Sequence, residues 1–179
     1  MLTLTGDHIY LRALEPEDLE VLFTIENDES FWHLSDTRTP FSKAALTSYI
    51  KAAKSDIFEA KQLRLAICKN GNQSLLGFVD LFDFDPYHSR AGVGIIIHNK
   101  EYRQKGYALE SLELVLQYAK THIGLHQIYA NILENNKASL ALFEKMGFQL
   151  AGKKVDWHKS ITIQGATQFT DEYMYQRML

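Results

Sequence analysis

Apolar and polar positions along this chain fall into two rhythms, a period of two and a period of three to four, that replace one another in a definite order. Residues 8–13 alternate as a first strand. Pro16, in a first helical position and followed by Glu17 and Asp18, opens a helix to about residue 27. Residues 28–40 keep neither rhythm and are expected to be irregular, with Phe31 and Trp32 inside them. Ser42 caps a second helix reaching about residue 58. Residues 62–69 and 75–84 read as strands joined through the hairpin signal Asn70-Gly71. Residues 90–98 continue the sheet through the short apolar run Val93-Gly94-Ile95-Ile96-Ile97. Ala108, Leu109, Leu112, Val115, Leu116 and Ala119 then recur at helical spacing. A strand over residues 127–132 leads to a helix capped by Asn135 or Asn136, with Leu140, Phe143 and Met146 three apart and Gly147 as its left-handed stop. Residues 148–157 and 168–178 supply two last strands. The order β-α-α-β-β-β-α-β-α-β-β, without repeat or linker, predicts one α/β (α+β) domain over residues 1–179.

Composition changes this picture little. At 179 residues, 46% hydrophobic and 23% charged, the chain suits a single globular core rather than disorder. No apolar run approaches the roughly 20 residues that span a bilayer, and the N-terminus lacks a secretory pattern. The lone cysteine, Cys68, sits in an apolar strand and fits a reducing, cytoplasmic setting. A net charge of −3 without a basic run argues against nucleic acid, and no membrane partner is expected. His122 and His126 are four apart, but Gly124 interrupts the helix between them, so no metal site is expected.

The chemistry lies in Arg103-Gln104-Lys105-Gly106-Tyr107-Ala108, between the apolar run and its helix. A glycine at a loop-to-helix junction lets the backbone turn sharply and leaves the first N–H groups, with the positive end of the helix dipole, open to an anion. Arg103 and Lys105 add positive charge, so the turn is a place for phosphate. No G-x-x-x-x-G-K-[ST] or G-x-G-x-x-G pattern is present.

The loop resembles the [RQ]-x-x-G-x-[GA] pyrophosphate loop of the GCN5-related N-acetyltransferases. From Asn136 to Phe148 the chain also matches that family's N-x-x-[AS]-x-x-L-[YF]-x-x-x-G-F signature, in the family's order. The resemblance covers essentially the whole length. It implies a central mixed, mostly antiparallel sheet of about seven strands flanked by about four helices. Leu81-Phe82-Asp83-Phe84-Asp85 and the tail Asp171-Glu172-Tyr173-Met174-Tyr175 look closest to the branch of spermidine and ribosomal-protein N-terminal acetyltransferases. The resemblance further implies acetyl-CoA as cosubstrate, held by Arg103, Gln104, Lys105, Gly106, Tyr107 and Ala108. It adds the central-strand backbone of Ile95, Ile96 and Ile97, with Asn136, Ser139 and Phe143 from the second signature.

Acetyl transfer to an alkyl amine requires loss of a proton, because an amine of pKa near 10.4 is only about one part in a thousand neutral at pH 7. Two departures bear on this. Many relatives place a tyrosine acid where this chain has Phe143, and a glutamate near the start of the central strand where it reads Ala91-Gly92-Val93. Asp83 and Asp85, expected on one face of their strand, are the replacement base candidates, although Asp85 before Pro86 also suits a turn. His88, an acidic end of the first helix at Glu26, Asp28 and Glu29, and the hydroxyls of Tyr107 and Tyr129 are further candidates, each with an ordinary surface or packing role as its alternative. The expected function is direct acetyl transfer to a polyamine or other small amine, with a protein N-terminal amine second. A CoA-binding protein without turnover is the rival from another class. Open sheet edges and the family habit imply a homo-oligomer.

Overall fold

A computed structural model describes residues 4–35, 37–161 and 165–179. Seven strands form one sheet in the order β1-β2-β3-β4-β5-β7-β6. These are β1 (Ile9–Arg12), β2 (Leu63–Lys69), β3 (Leu75–Asp85), β4 (Arg90–Ile97), β5 (Gln127–Leu133), β6 (Gln149–Ile161) and β7 (Thr167–Met178). All neighbours are antiparallel except β4 and β5, which run parallel. The helices are α1 (Leu19–Glu26), α2 (Glu29–Ser35), α3 (Lys43–Ala52), α4 (Ile57–Ala60), α5 (Tyr107–Tyr118) and α6 (Lys137–Lys145).

Alternation along the strands sorts their side chains to the two faces. Ala66, Cys68 and Phe78 face Leu22 and Ile25 of α1 and Leu46 and Ile50 of α3. Ile67, Val79, Val93 and Ile128 face the opposite side, where Leu112 and Val115 of α5 and Leu140 and Phe143 of α6 cover them. Cys68 is buried, as its apolar strand implied. Among the described residues no helix is long and apolar enough to cross a membrane.

The described residues hold six α-helical segments rather than about four, for two local reasons. Residues 29–35 are helical instead of irregular, because the Asp28 carboxylate accepts from Ser30 N–H at 2.9 Å and its carbonyl from Phe31 N–H at 2.9 Å. Asp36, in the middle of that expectation, lies outside the described residues. The helix capped by Ser42 stops at Ala52, and Asp56 starts a new turn by accepting from Phe58 N–H at 2.7 Å. Lys61, at φ +57°, closes that turn. The β2–β3 hairpin forms as expected, although residues 70–74 all serve as its loop.

A wedge follows from one pairing. Strands β4 and β5 are in register only at Arg90 with Gln127, Ala91 with Ile128 and Gly92 with Tyr129. Beyond Gly92, β4 runs on to Ile97 and β5 to Leu133 with no pairing between them. The central strand therefore has one bare edge, and a cleft opens in the middle of the sheet.

Candidate functional site

The polarity of that bare edge follows from two contacts. His98 N–H donates to Leu76 of β3 at 3.1 Å, and the Ile97 carbonyl, pointing the other way, accepts from Arg103 Nε at 3.1 Å. Alternation along the strand then turns the N–H of Ile95 toward the gap and that of Ile96 toward β3. The cleft has a volume of about 1060 Å³ and is walled on one side by Ile95, Ile96 and Ile97 and on the other by Asn136, Ser139 and Leu142.

At its mouth the chain climbs from β4 through residues 98–106 into α5. Gly106 sits at the helix N-cap with φ +86°, and a Cβ there would meet nothing within 4 Å. Positive φ is costly for other residues, so glycine keeps both the turn and the open space. The first amides of α5 lack helical partners by geometry, and Gly106, Tyr107 and Ala108, which carry them, line the mouth. Arg103 and Gln104 line the cleft with Tyr107 and Ala108. Arg103 is tied down: beyond Ile97, it reaches the His98 carbonyl at 3.4 Å and lies 5.6 Å from the Phe31 ring centroid. Lys105 instead borders a neighbouring depression beside Glu110, its ammonium 5.9 Å from the Tyr102 ring. Its charge flanks the cradle rather than lining it.

On the far wall, Asn136 caps α6 by accepting from Ser139 N–H at 3.2 Å, which leaves its amide N–H groups for a ligand. Phe143 does not reach the cleft. It is 2% exposed and packs edge-on against Phe148 at 5.0 Å, because the helical turn that presents Leu142 to the cleft points Phe143 into the core. Sequence reasoning missed Lys145 and Lys100, which bring positive charge to the cleft from α6 and from the turn before Arg103. Lys145 was legible as the last-turn cation of its helix.

The two nominated aspartates part company. A bulge between β3 and β4 follows Phe82, and Asp83 takes φ +49°, so the simple alternation that would place both on one face is broken. Neither lines the cleft. Asp85 accepts from His88 N–H at 3.0 Å and pairs with Arg90 at 3.3 Å. The His88 hydrogen bond, with help from Arg90, holds its carboxyl below the usual range, so Asp85 and His88 shape a turn. Asp83 accepts from the Tyr129 hydroxyl at 3.1 Å, and Tyr129 is the last β5 residue in register with β4. Burial first, and the Asp83 carboxylate second, push Tyr129 up to about 12.

Gly92 has its own explanation. A Cβ there would lie 2.3 Å from the Phe82 ring, so Phe82 occupies the space above it. At the end of α1, Glu26 binds Arg64 at 2.5 Å, and Arg64 binds Asp80 at 2.6 Å. Asp28 lines the cleft; the hydrogen bonds from Ser30, with Lys100 and Arg103 nearby, keep it below the ordinary carboxylate value.

A parallel pair that parts around a bare strand edge, next to a glycine-capped helix N-terminus, sets an anion cradle beside a fixed N–H donor in one cleft, the arrangement of a transferase for a phosphate-bearing cosubstrate. The model of the acetyltransferase (GNAT) domain matches residues 8–149, and the chain belongs to that family. It is an N-acetyltransferase, of a family that uses acetyl-CoA as cosubstrate. The spermidine N(1)-acetyltransferase of Vibrio cholerae is 27% identical over 154 residues, covering 84% of each chain. An uncharacterized prophage-derived N-acetyltransferase of Bacillus subtilis, YokL, is 26% identical over 149 residues, covering 83% of this chain and 80% of that one. The crystal structure of the Vibrio cholerae spermidine N-acetyltransferase in complex with CoA and spermine superposes with a TM-score of 0.80. It is 25% identical to this chain and covers 95% of both chains.

Proposed function

We propose that this N-acetyltransferase acetylates a small cationic amine, polyamines first, by direct attack of the bound amine on the thioester. The observation that carries the reading is the gap beside β4: it leaves Ile95 N–H as a fixed donor at the one place where the cleft passes through the sheet. Such a donor stabilises the oxyanion of the tetrahedral intermediate without having to reorganise. The first amides of α5, framed by Gln104, Gly106 and Ala108, hold the pyrophosphate, and Arg103 and Lys105 add positive field. Asn136 and Ser139 contact the pantetheine arm, and Ile96 and Ile97 complete the strand wall.

Of the two aspartates Asp83 keeps the role of base. The amine proton passes to the Tyr129 oxygen as the Tyr129 proton moves to Asp83, which is exposed and returns it to water. A thiol leaving group with a pKa near 8.5 departs without an acid at the position of Phe143. Mild acidity and similarity to spermidine acetyltransferases support the preference for polyamines over peptide N-termini in this reading. The enzyme works as a homo-oligomer, as the dodecameric spermidine N-acetyltransferase of Vibrio cholerae does; that structure is 26% identical with a TM-score of 0.74.

The test is acetyl-CoA-dependent thiol release against polyamines, aminoglycosides and short peptides with free N-termini. Turnover with spermidine or spermine is expected. Turnover confined to peptides replaces the acceptor. Acetyl-CoA binding with silence across the panel favours the second reading, a CoA-binding protein without turnover, for which the core position of Phe143 and the loss of a side chain at Gly92 speak.

A further inference from the structure

The face of the sheet toward α1 and α3 contains a gap in its covering. Residue 92 of the central strand has its space filled by the Phe82 ring, whereas at Gly94 a Cβ would meet only one atom within 4 Å, Phe82 Cε1 at 3.7 Å. The floor at Gly94 is therefore bare backbone. It adjoins Ile95, whose N–H faces the cleft from the other side of the same strand. Directly across β3 from Gly94 stands Asp80, and paired positions in an antiparallel ladder project to the same face.

Asp80 is held for one contact more than it makes. Its Oδ1 takes Arg64 Nε at 2.6 Å and Gln62 Nε2 at 3.4 Å. Oδ2 has no partner among the described residues, and the side chain keeps 15% of its surface. Arg64 is itself clamped to Glu26 and lies against the rings of Tyr49 and Phe78, so the guanidinium fixes Asp80 in place. Two carboxylates share one cation here, which leaves the group with a net negative charge. Phe82 closes one side of the floor with an aromatic ring, a surface that attracts cations.

We propose that Asp80 is the specificity-determining residue for the acceptor: its free Oδ2 receives the ammonium of an alkyl amine over Gly94 and delivers the nitrogen to the thioester beside Ile95. The proposal rests on the amine-acetylating reading above and deepens it by naming the group that selects a cationic nitrogen. Asp80 then flanks the amine on the β3 side, with Tyr129 across the gap on the β5 side.

The experiment compares wild type, Asp80→Asn and Gly94→Val in steady-state kinetics with spermidine. Calorimetric binding of spermidine to the CoA-loaded protein and of acetyl-CoA to the free protein accompanies it. An ionic hydrogen bond corresponds to about 10- to 100-fold in affinity. Asp80→Asn is expected to raise the spermidine KM and Kd by about that factor with acetyl-CoA affinity unchanged. Gly94→Val, which fills the floor from the acceptor face, is expected to do the same. The wild-type KM should rise with salt and the Asp80→Asn KM should not. An unchanged spermidine KM in Asp80→Asn, or an equal loss of acetyl-CoA affinity, overturns the proposal while leaving polyamine acetylation standing. If wild type ignores spermidine but acetylates a peptide, the polyamine reading fails and the same comparison on that peptide decides Asp80. If wild type neither binds nor acetylates any cationic amine, both fall.

Discussion

Single residues set two measurable properties. Tyr129 is raised to about 12 by burial and by Asp83, so it stays protonated at neutral pH, as the proposed proton relay requires. Asp83→Asn removes the second of those causes and should lower the Tyr129 pKa, read from the tyrosinate absorbance lost in Tyr129→Phe. The same Asp83→Asn variant should lose about 10²-fold or more in kcat at pH 7; an unchanged kcat/KM removes Asp83 from the reaction. The second property is acid stability. Burial alone pushes Asp18 up, but the forked hydrogen bonds from Arg12, both 2.7 Å, and the Glu15 N–H pull it below the usual carboxylate value. A carboxyl with a lowered pKa in the fold contributes stability above its ordinary pKa and loses it as pH falls through the lowered value. Arg12→Ala leaves that buried carboxylate unpaired and should cost about 3 kcal/mol in denaturant unfolding at pH 7. The deficit should shrink as pH drops below the carboxylate range.

Elements place those residues, and here the sequence was legible unevenly. Strands β1 to β5 and helix α5 were readable because period and punctuation agreed: Pro16 opening a helix, Ser42 and Asn136 capping, Gly147 stopping. The loop into α5 was readable for the same reason, and Gly106→Arg tests it. A side chain at φ +86° strains the turn and fills the cradle, so acetyl-CoA affinity should fall at least tenfold in calorimetry, with the fold intact by circular dichroism. Helix α2 was illegible because its seven residues have no apolar period, although Asp28-Glu29 is a start signal. The bulge after Phe82 was illegible because it depends on how β3 meets β4, and it carried Asp83 to Tyr129. Phe143 was misplaced because a motif gives spacing, while the core determines which of two adjacent side chains faces the cleft. Asp80 and Arg64 drew no notice, since a charged pair on a strand looks like surface until the partner strand and helix are in place.

At the scale of the whole molecule, the sheet ends in a long ribbon. Strand β7 pairs with β5 only over residues 172–178, whereas β6 and β7 continue to pair as far as Ile161 and Thr167. On β6, the edge strand, Val155 is 68% exposed, Trp157 60% and Ile161 69%. An apolar edge of this kind favours pairing with another chain. Trp157→Lys should reduce the mass measured by light scattering toward the monomer, while acetyl-CoA binding persists, because β5 and β7 stand between β6 and the cleft. An unchanged mass would place the contact elsewhere.

Arg103 joins two parts of the fold. Its backbone belongs to the loop proposed to hold the acetyl donor, while its guanidinium spans from the Ile97 carbonyl to the Phe31 ring on α2, close to where α1 ends at Glu26. Whatever settles the loop also settles the ring beneath that guanidinium. With the acetyl donor seated on this loop as proposed, the thioester would prepare the entrance through which the amine arrives, and product-inhibition patterns should show a compulsory order of addition with acetyl-CoA first; a random order would uncouple the two.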